Sequence, residues 1–479
     1  MTDRPVYITA ETEMTFKQPA PVRSVLLSEP EDGIRPSLQE DGDWQYEAVM
    51  GIDFGTSSAK VVVQDGSRSF AIPFRDAAGI NAYLLPTMLW ESPDGAFNLD
   101  GRGRGIGSLK VRLIQNPTED VQTEAAAYLA FVIRLTRAYL FTVQHDQWEL
   151  GDIFWHVLVG LPSTQSFGDM KDCWVRILKA AWKAAGTDEE LTRSSIRTLL
   201  READRPEDEQ MDLRALPECS ALIYAAYKSG ERESRPMNFI TVDVGSATVD
   251  VSSFCNFNRF DEGERHTDYT ISLHTASVEM LGTSFCHANR IRWWIDFIEH
   301  DAEGSSFDKK RLCDALQRNA VLNPETLLPG GCTTEYVSAD IGSRSNADAG
   351  FFPALQQLTA DVKKSVWQGN KMSKTELETL EIYVCGGGSR CSAYARWLRD
   401  AYHPNISLWT NEHVKLMVLL NQVTFDRDRP VAVDDQQRLA VAFGLASNAV
   451  EEVVMTEAED RPVQIVSADL PEVVDKDKV

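Results

Sequence analysis

Two stretches of this chain carry one pattern, and that repetition limits the fold more than any other feature. The first is Met50-Gly51-Ile52-Asp53-Phe54-Gly55-Thr56-Ser57-Ser58-Ala59-Lys60-Val61-Val62-Val63; the second is Phe239-Ile240-Thr241-Val242-Asp243-Val244-Gly245-Ser246-Ala247-Thr248-Val249-Asp250-Val251-Ser252. Each has an apolar run, Asp-x-Gly, a small polar bend and a β-branched run, which predicts a strand, a tight turn with a carboxylate, and a second strand. Such a bend can hold a phosphate. Gly55 permits close backbone approach, and Thr56, Ser57 and Ser58 supply hydroxyls and N–H groups. Asp53 repels a phosphate unless a divalent cation lies between them, so the same turn implies Mg²⁺. One Asp-x-Gly bend alone is usually structural. Two copies predict two related α/β lobes, each presenting a phosphate-gripping hairpin to a shared cleft.

A third stretch, Leu380-Glu381-Ile382-Tyr383-Val384-Cys385-Gly386-Gly387-Gly388-Ser389-Arg390, reads as a buried strand, a glycine turn and a helix. Gly386, Gly387 and Gly388 let the backbone pass close to a nucleoside, which makes this the adenosine-side candidate. Pro217-Glu218 opens a helix whose N-terminus stabilises the Glu218 carboxylate through the dipole.

Together with these stretches, Leu85-Pro86-Thr87-Met88-Leu89-Trp90, Val157-Leu158-Val159-Gly160-Leu161-Pro162-Ser163, Leu216-Pro217-Glu218-Cys219-Ser220-Ala221-Leu222, Leu281-Gly282-Thr283-Ser284-Phe285 and Ala440-Val441-Ala442-Phe443-Gly444-Leu445-Ala446 follow in one order. In that order the chain resembles the actin/Hsp70 ATPase superfamily, and specifically the nucleotide-binding domain of Hsp70-type chaperones, from about Glu47 to about Ser447. The resemblance implies a two-lobed α/β actin-like ATPase fold of duplicated ribonuclease H-like domains, with a subdomain inserted in each lobe. Its divisions are an acidic extension (1–46), lobe I (47–238, insert about 86–151), lobe II (239–447, insert about 285–349) and an acidic tail (448–479). The Pro- and acid-rich extension reads as a partly ordered tail, although Val22 to Leu27 and Trp44 to Tyr46 could add an edge strand or pack on lobe I. Glu202 to Arg214 reads as a charged surface loop.

By the same resemblance, ATP or ADP with Mg²⁺ is the ligand. Asp53, Asp243 and Asp250 then serve the metal, and Gly55, Thr56, Ser57, Ser58, Gly245 and Ser246 the phosphates. Gly386, Gly387, Gly388 and Arg390 take the nucleoside, with Arg390 stacked on the adenine. Glu218 orients the attacking water, and Asp53, Asp243 and Thr248 complete the catalytic set. Three departures stand out. Gly245-Ser246-Ala247 replaces three consecutive glycines, with the Ser246 hydroxyl as a compensating donor. The family's ribose-side aspartate aligns with Arg438. The phosphate-facing lysine of the first insert has three readings here: Lys110, Arg102 or Arg104 in its place, or no residue at all. A Gly/Arg turn is usually a solvated loop, so the position is expected to be vacant and turnover slow. Phe307-Asp308-Lys309-Lys310-Arg311 matches the family's adenine-gripping helix only loosely and reads as solvated.

The formal charge of -24 argues against a nucleic-acid partner, because a phosphate backbone would be repelled. No uninterrupted apolar run can span a bilayer; the stretch from Glu124 to Val143 is apolar at helical spacing and reads as a packed core helix. Met1 to Ala10 lacks the apolar core of a signal peptide, so a cytoplasmic protein is expected. The eight cysteines include no Cys-x-x-Cys pair, which argues against zinc or a disulfide framework. The leading expectation is a nucleotide-dependent conformational switch for a protein partner, with slow ATP hydrolysis. By the resemblance, the stretch after Ser447 is expected to be too short for the chaperones' peptide-binding module. The alternatives are a non-hydrolysing scaffold or actin-like filament subunit, and a small-molecule kinase.

Overall fold

A computed structural model of the chain describes residues 26–38, 45–66, 68–143, 148, 152–162, 169–203, 211–228, 237–259, 268–300, 304–318, 352–369, 372, 381–390, 394, 414–416, 422–447 and 454–457. In the first half run strands β1 (Gln45–Phe54), β2 (Ser58–Asp65), β3 (Arg68–Ala71), β4 (Leu85–Pro86), β5 (Leu89–Glu91), β6 (Phe97–Asn98), β7 (Arg104–Ile106), β8 (Asp152–Leu161) and β9 (Met211–Pro217). Helices α1 (Leu109–Gln115), α2 (Glu119–Val143), α3 (Asp169–Ala185), α4 (Arg193–Glu202) and α5 (Glu218–Lys228) lie among them. The second half has β10 (Met237–Val244), β11 (Val249–Arg259), β12 (Asp268–Glu279), β13 (Glu381–Cys385), β14 (Val414–Leu416) and β15 (Val454–Glu457). Its helices are α6 (Thr283–His300), α7 (Ser306–Arg318), α8 (Phe352–Gln368) and α9 (Ala440–Ala446).

The result is a mixed α/β structure whose two large sheets follow one plan. In the first, the antiparallel meander β3-β2-β1 continues through β1 into the parallel strands β8 and β9. In the second, the meander β12-β11-β10 continues through β10 into the parallel strands β13 and β14. Strand β4 adds to β2, β15 adds to β12, and β6-β5-β7 form a separate small sheet. The repeated sequence pattern therefore corresponds to the central strand pair of each large sheet.

β1 is apolar without a break because both of its faces are covered. Ala48, Met50, Ile52 and Phe54 enter one core cluster, shared with α2 and α3. Val49 on the alternate face enters another, shared with α5, α9 and residues of the second sheet such as Phe239, Phe254 and Tyr383. Gly51 lies on that second face, where any Cβ would collide with the backbone of Ala442 and Ala446; Gly444 of α9 meets the Ala221 backbone of α5 in the same way. Helix α9 is thus wedged between β1 and α5, and all seven of its residues are buried.

Helix α2 is the one described helix long and apolar enough to cross a bilayer, but it is packed inside the first core, as expected of a core helix. Residues 26–38 are more ordered than a loose tail. Pro30–Gly33 forms a 3-10 turn against α2, Arg137 donates to the carbonyls of Gly33 and Ile34, and Trp155 Nε1 donates to Pro36. The rest of the extension before β1 lies outside the described residues. The supposed charged loop also ends early, because Met211 to Arg214 already pair in parallel with β8. Charges there alternate with the buried Leu213 and Ala215, so composition hid a strand of period two.

One ionic cluster ties the small sheet to the helices. Arg193 reaches Glu91 of β5 through Nε (2.8 Å) and Glu124 of α2 through Nη2 (3.0 Å), and Arg104 also meets Glu91. The hydrogen bonds from Arg193 hold the Glu91 carboxyl at about 2, with Arg104 adding to the effect against burial. A folded pKa below the unfolded value gives stability that is complete above about 4.5 and is lost as pH falls toward 2. Arg193→Met is expected to lower stability by about 1–3 kcal/mol at neutral pH. Urea unfolding across a pH series should show its gap to the wild type closing in that acid window.

Candidate functional site

The two hairpins have the same register. In the first, Asp53 stands opposite Lys60 and Phe54 opposite Ala59; in the second, Asp243 stands opposite Asp250 and Val244 opposite Val249. The four-residue bends between these pairs, Gly55 to Ser58 and Gly245 to Thr248, are the stretches singled out for phosphate.

Around the first bend, Lys60 Nζ donates to Asp53 Oδ2 at 2.7 Å. Thr87 fixes the bend through its hydroxyl on the Gly55 carbonyl (2.7 Å) and its N–H on the Ser57 carbonyl (3.0 Å). Tyr128 of α2 in turn donates to the carbonyls of Leu85 and Pro86 and stacks on Phe54. The core helix therefore braces the turn. Gly55, Thr56 and Ser57 are partly exposed, while Ser58 is buried.

Glu218 is the first residue of α5, immediately beyond β9, as the helix-start reading predicts. It lies over Gly160 of β8, where an added Cβ would stand 2.9 Å from Glu218 Cγ. Lys110 of α1 forms a buried ion pair with Glu218 Oε1. The expected vacancy is thereby corrected: a lysine amine does stand among these carboxylates, while Arg102 and Arg104 are exposed and Arg104 pairs with Glu91. Ser108, just before α1, has φ 53°, the one positive φ among described non-glycine residues, and the buried Lys110 follows in the first turn of the helix. Burial opposes the charge on Lys110, but Glu218, Asp53 and Asp243 outweigh it and hold the ammonium above its ordinary value. Burial raises Glu218, with Asp53 and Asp250 adding to the rise and Lys110 opposing it.

At the second bend, burial and then the carboxylates of Glu218 and Asp53 push Asp243 up to about 7, against the pull of Lys60. Asp250 is buried and accepts from the Ser252 hydroxyl at 2.8 Å. Gly245 N–H donates to the Thr248 carbonyl at 2.9 Å, so Thr248 closes the bend. The Ser246 hydroxyl lies 2.6 Å from that of Ser284, and Ser284 N–H donates to the Ser246 carbonyl, so this serine is engaged by the start of α6. Gly386 has φ +82°, and a Cβ there would strike Asp243 Oδ1; Gly388 packs equally tightly on Val244 and Thr283. The glycine turn after β13 is thus pressed onto the second hairpin. Gly387 faces the Arg438 guanidinium at 3.3 Å from an added Cβ, which puts an arginine beside the adenosine-side turn. The Arg390 side chain lies outside the described residues. Phe307 of α7 is 72% exposed and Lys310 is exposed, while Lys309 and Arg311 are half-buried.

The site accordingly brings Asp53, Glu218, Asp243 and Asp250 into one another's electrostatic field, with Lys60 and Lys110 among them. Lys60 went unassigned in the sequence. Its signal was its position relative to Asp53, which matches that of Asp250 relative to Asp243.

Two outcomes follow from the crowding. A carboxylate raised in the folded state makes stability fall as pH climbs from about 4 to about 7, because the folded state then holds the extra proton. Asp243→Asn is expected to reduce that slope, the part owed to Glu218 remaining, and to stabilise the protein by about 2 kcal/mol at pH 8, read by denaturant titration. Gly386→Ala forces a side chain onto Asp243 from a left-handed backbone and should cost about 1–3 kcal/mol.

No family model matches the chain. It is 24% identical over 364 residues to the chaperone protein DnaK of Elusimicrobium minutum (strain Pei191), an alignment that covers 74% of this chain and 53% of that protein. The chain therefore spans about half the length of the curated relative it matches. The similarity supports a relationship to the Hsp70/actin-like ATPases at the level of a superfamily.

Proposed function

We propose that the chain binds ATP and ADP between its two hairpins in a two-lobed, actin-like arrangement, and acts as a nucleotide-dependent conformational switch read by a protein partner. The observation that carries this reading is the pair of Asp-x-Gly bends in equal register, with their carboxylates in one field. Distant similarity to a DnaK chaperone points the same way.

The residues fit a nucleotide. Two glycine-led bends offer backbone N–H groups to phosphates, and the tightly packed Gly386-Gly387-Gly388 turn sits beside the second bend. They do not fit a directly ligated Mg²⁺. Asp53 already holds the Lys60 amine and Glu218 the Lys110 amine, and among the described residues no three His, Cys, Asp or Glu are grouped to hold a metal.

Bound ATP would supply a phosphoryl group that water can accept. Lys110 occupies Glu218 Oε1, which leaves Oε2 to take a proton from water. Burial makes the Glu218 carboxylate more basic than an exposed one, and Lys110 offers its positive charge to anionic oxygens.

Calorimetric titration with ATP and an assay of phosphate release, run on one preparation, test this reading. Glu218→Gln should keep binding while release falls about 100-fold or more. Gly245→Val, which crowds the second bend against Thr248, should abolish binding. Binding by the wild type without any release would favour the non-hydrolysing scaffold, a second reading supported by the Ser246 hydroxyl being engaged on Ser284. Absence of binding would overturn the assignment.

A further inference from the structure

We propose that α2, β8 and the turn at Phe74 form a peptide-docking groove, and that residues 26–38 are its ligand, a tethered strap whose seating sets the affinity of the first hairpin for nucleotide. The second half of this statement rests on the nucleotide reading above; the groove itself does not.

The strap is held as a peptide ligand is held. It contributes no strand to either large sheet, and its β-bridge from Leu26 to Arg75 is isolated. Most of its contacts use main-chain atoms. Leu27 N–H donates to the Phe74 carbonyl at 3.2 Å. Arg137 Nη1 donates to the carbonyls of Gly33 (3.3 Å) and Ile34 (3.1 Å), and Trp155 Nε1 to that of Pro36 (2.7 Å). Side chains specify the segment at few points. The Ser37 hydroxyl accepts from Ile153 N–H (2.8 Å) and donates to Asp152 (3.0 Å) at the start of β8, while Leu26 and Leu38 pack on the first core from either end of the strap. A Cβ on Gly33 would collide with the Arg134 carbonyl, so glycine is what lets this backbone lie on α2. Glu31, Asp32, Arg35 and Pro36 are exposed.

The floor of the groove suits a ligand that can leave. Arg137 is buried beneath the strap with its guanidinium 4.1 Å from the Trp182 ring, and among the described residues its hydrogen bonds go to those two strap carbonyls. Burial, with Arg134 adding, pulls it down to about 9, so desolvation of this charge opposes the seated strap. With the strap away, water can reach the guanidinium. An apolar floor would have no such compensation on exposure and would favour permanent closure.

Helix α2 joins the groove to the first hairpin. Tyr128 and Arg137 share this helix, roughly 14 Å apart along its axis at about 1.5 Å per residue. Tyr128 holds the carbonyls of Leu85 and Pro86 and stacks on Phe54, and Thr87 fixes the carbonyls of Gly55 and Ser57. A strap that seats α2 therefore favours the arrangement of the bend offered to phosphate. By reciprocity, a bound nucleotide favours the seated strap.

The experiment uses the full chain, as wild type and as Gly33→Val, with a synthetic peptide carrying the sequence of residues 24–40. Gly33→Val expels its own strap and leaves the groove open. The fluorescently labelled peptide, read by polarisation, is expected to bind Gly33→Val at least about 10-fold more tightly than the wild type, whose tethered strap competes at an effective concentration on the order of millimolar. Calorimetric titration with ATP should show Gly33→Val weaker than the wild type by about fivefold or more, and saturating unlabelled peptide should restore the affinity. Equal or absent peptide binding in the two proteins would overturn the groove. ATP affinities that agree between the two proteins, or a deficit that the peptide does not repair, would overturn the coupling. Absence of ATP binding by the wild type would overturn the nucleotide reading and the coupling with it, while the peptide titration still decides the groove. Should Gly33→Val fail to fold by circular dichroism, Leu26→Asp/Leu38→Asp, which removes both apolar anchors, takes its place in the two titrations.

Discussion

Carboxylates that share a low-dielectric cleft cannot all remain charged unless something neutralises them, and that constraint shapes the centre of this molecule. Asp53, Glu218, Asp243 and Asp250 come from the ends of three strands and the start of one helix. Two lysines answer them, one from the strand opposite Asp53 and one from a short helix entered through a strained serine. The balance is incomplete, and Asp243 absorbs the remainder by holding its proton to about pH 7. Burial, ion pairing and backbone strain in the site are thus parts of one electrostatic arrangement.

That arrangement persists because the elements beneath it pack closely, with glycine at the points of contact. Gly51, Gly160, Gly386 and Gly444 each lie where a Cβ would run into another element. Through the first and last of these, α9 is held against both β1 and α5, so the strand bearing Asp53 and the helix bearing Glu218 share one support. Close-packed interiors transmit small displacements between such elements. A shift of α9 would reach both carboxylates together.

Much of this was legible in the sequence. The two hairpins, the glycine turn, the start of α5 at Glu218 and the core helix α2 all follow from local patterns: periodicity, turn residues and a proline before a helix. What escaped depended on pairing across space. Lys60 looked like one polar residue in a strand until the register put it opposite Asp53. Lys110 lies in a segment whose glycines and arginines read as solvated loop, and its partner Glu218 is 108 residues away in the chain. The strand from Met211 was hidden by its alternating charges, and residues 30–38 gained order from Arg137 and Trp155, which no local pattern could announce.

The inversion of sign between the two equivalent hairpin positions gives the cleft a direction. One wall pairs its aspartate with a cation, and the other sets a second carboxylate against it. A duplicated architecture would by itself generate a symmetric field, in which an anionic ligand has no preferred wall. Here the sign of the charge differs between the equivalent residues Lys60 and Asp250. Unlike charges on the two hairpins give any anion between them a preferred side, the one on which Lys60 stands.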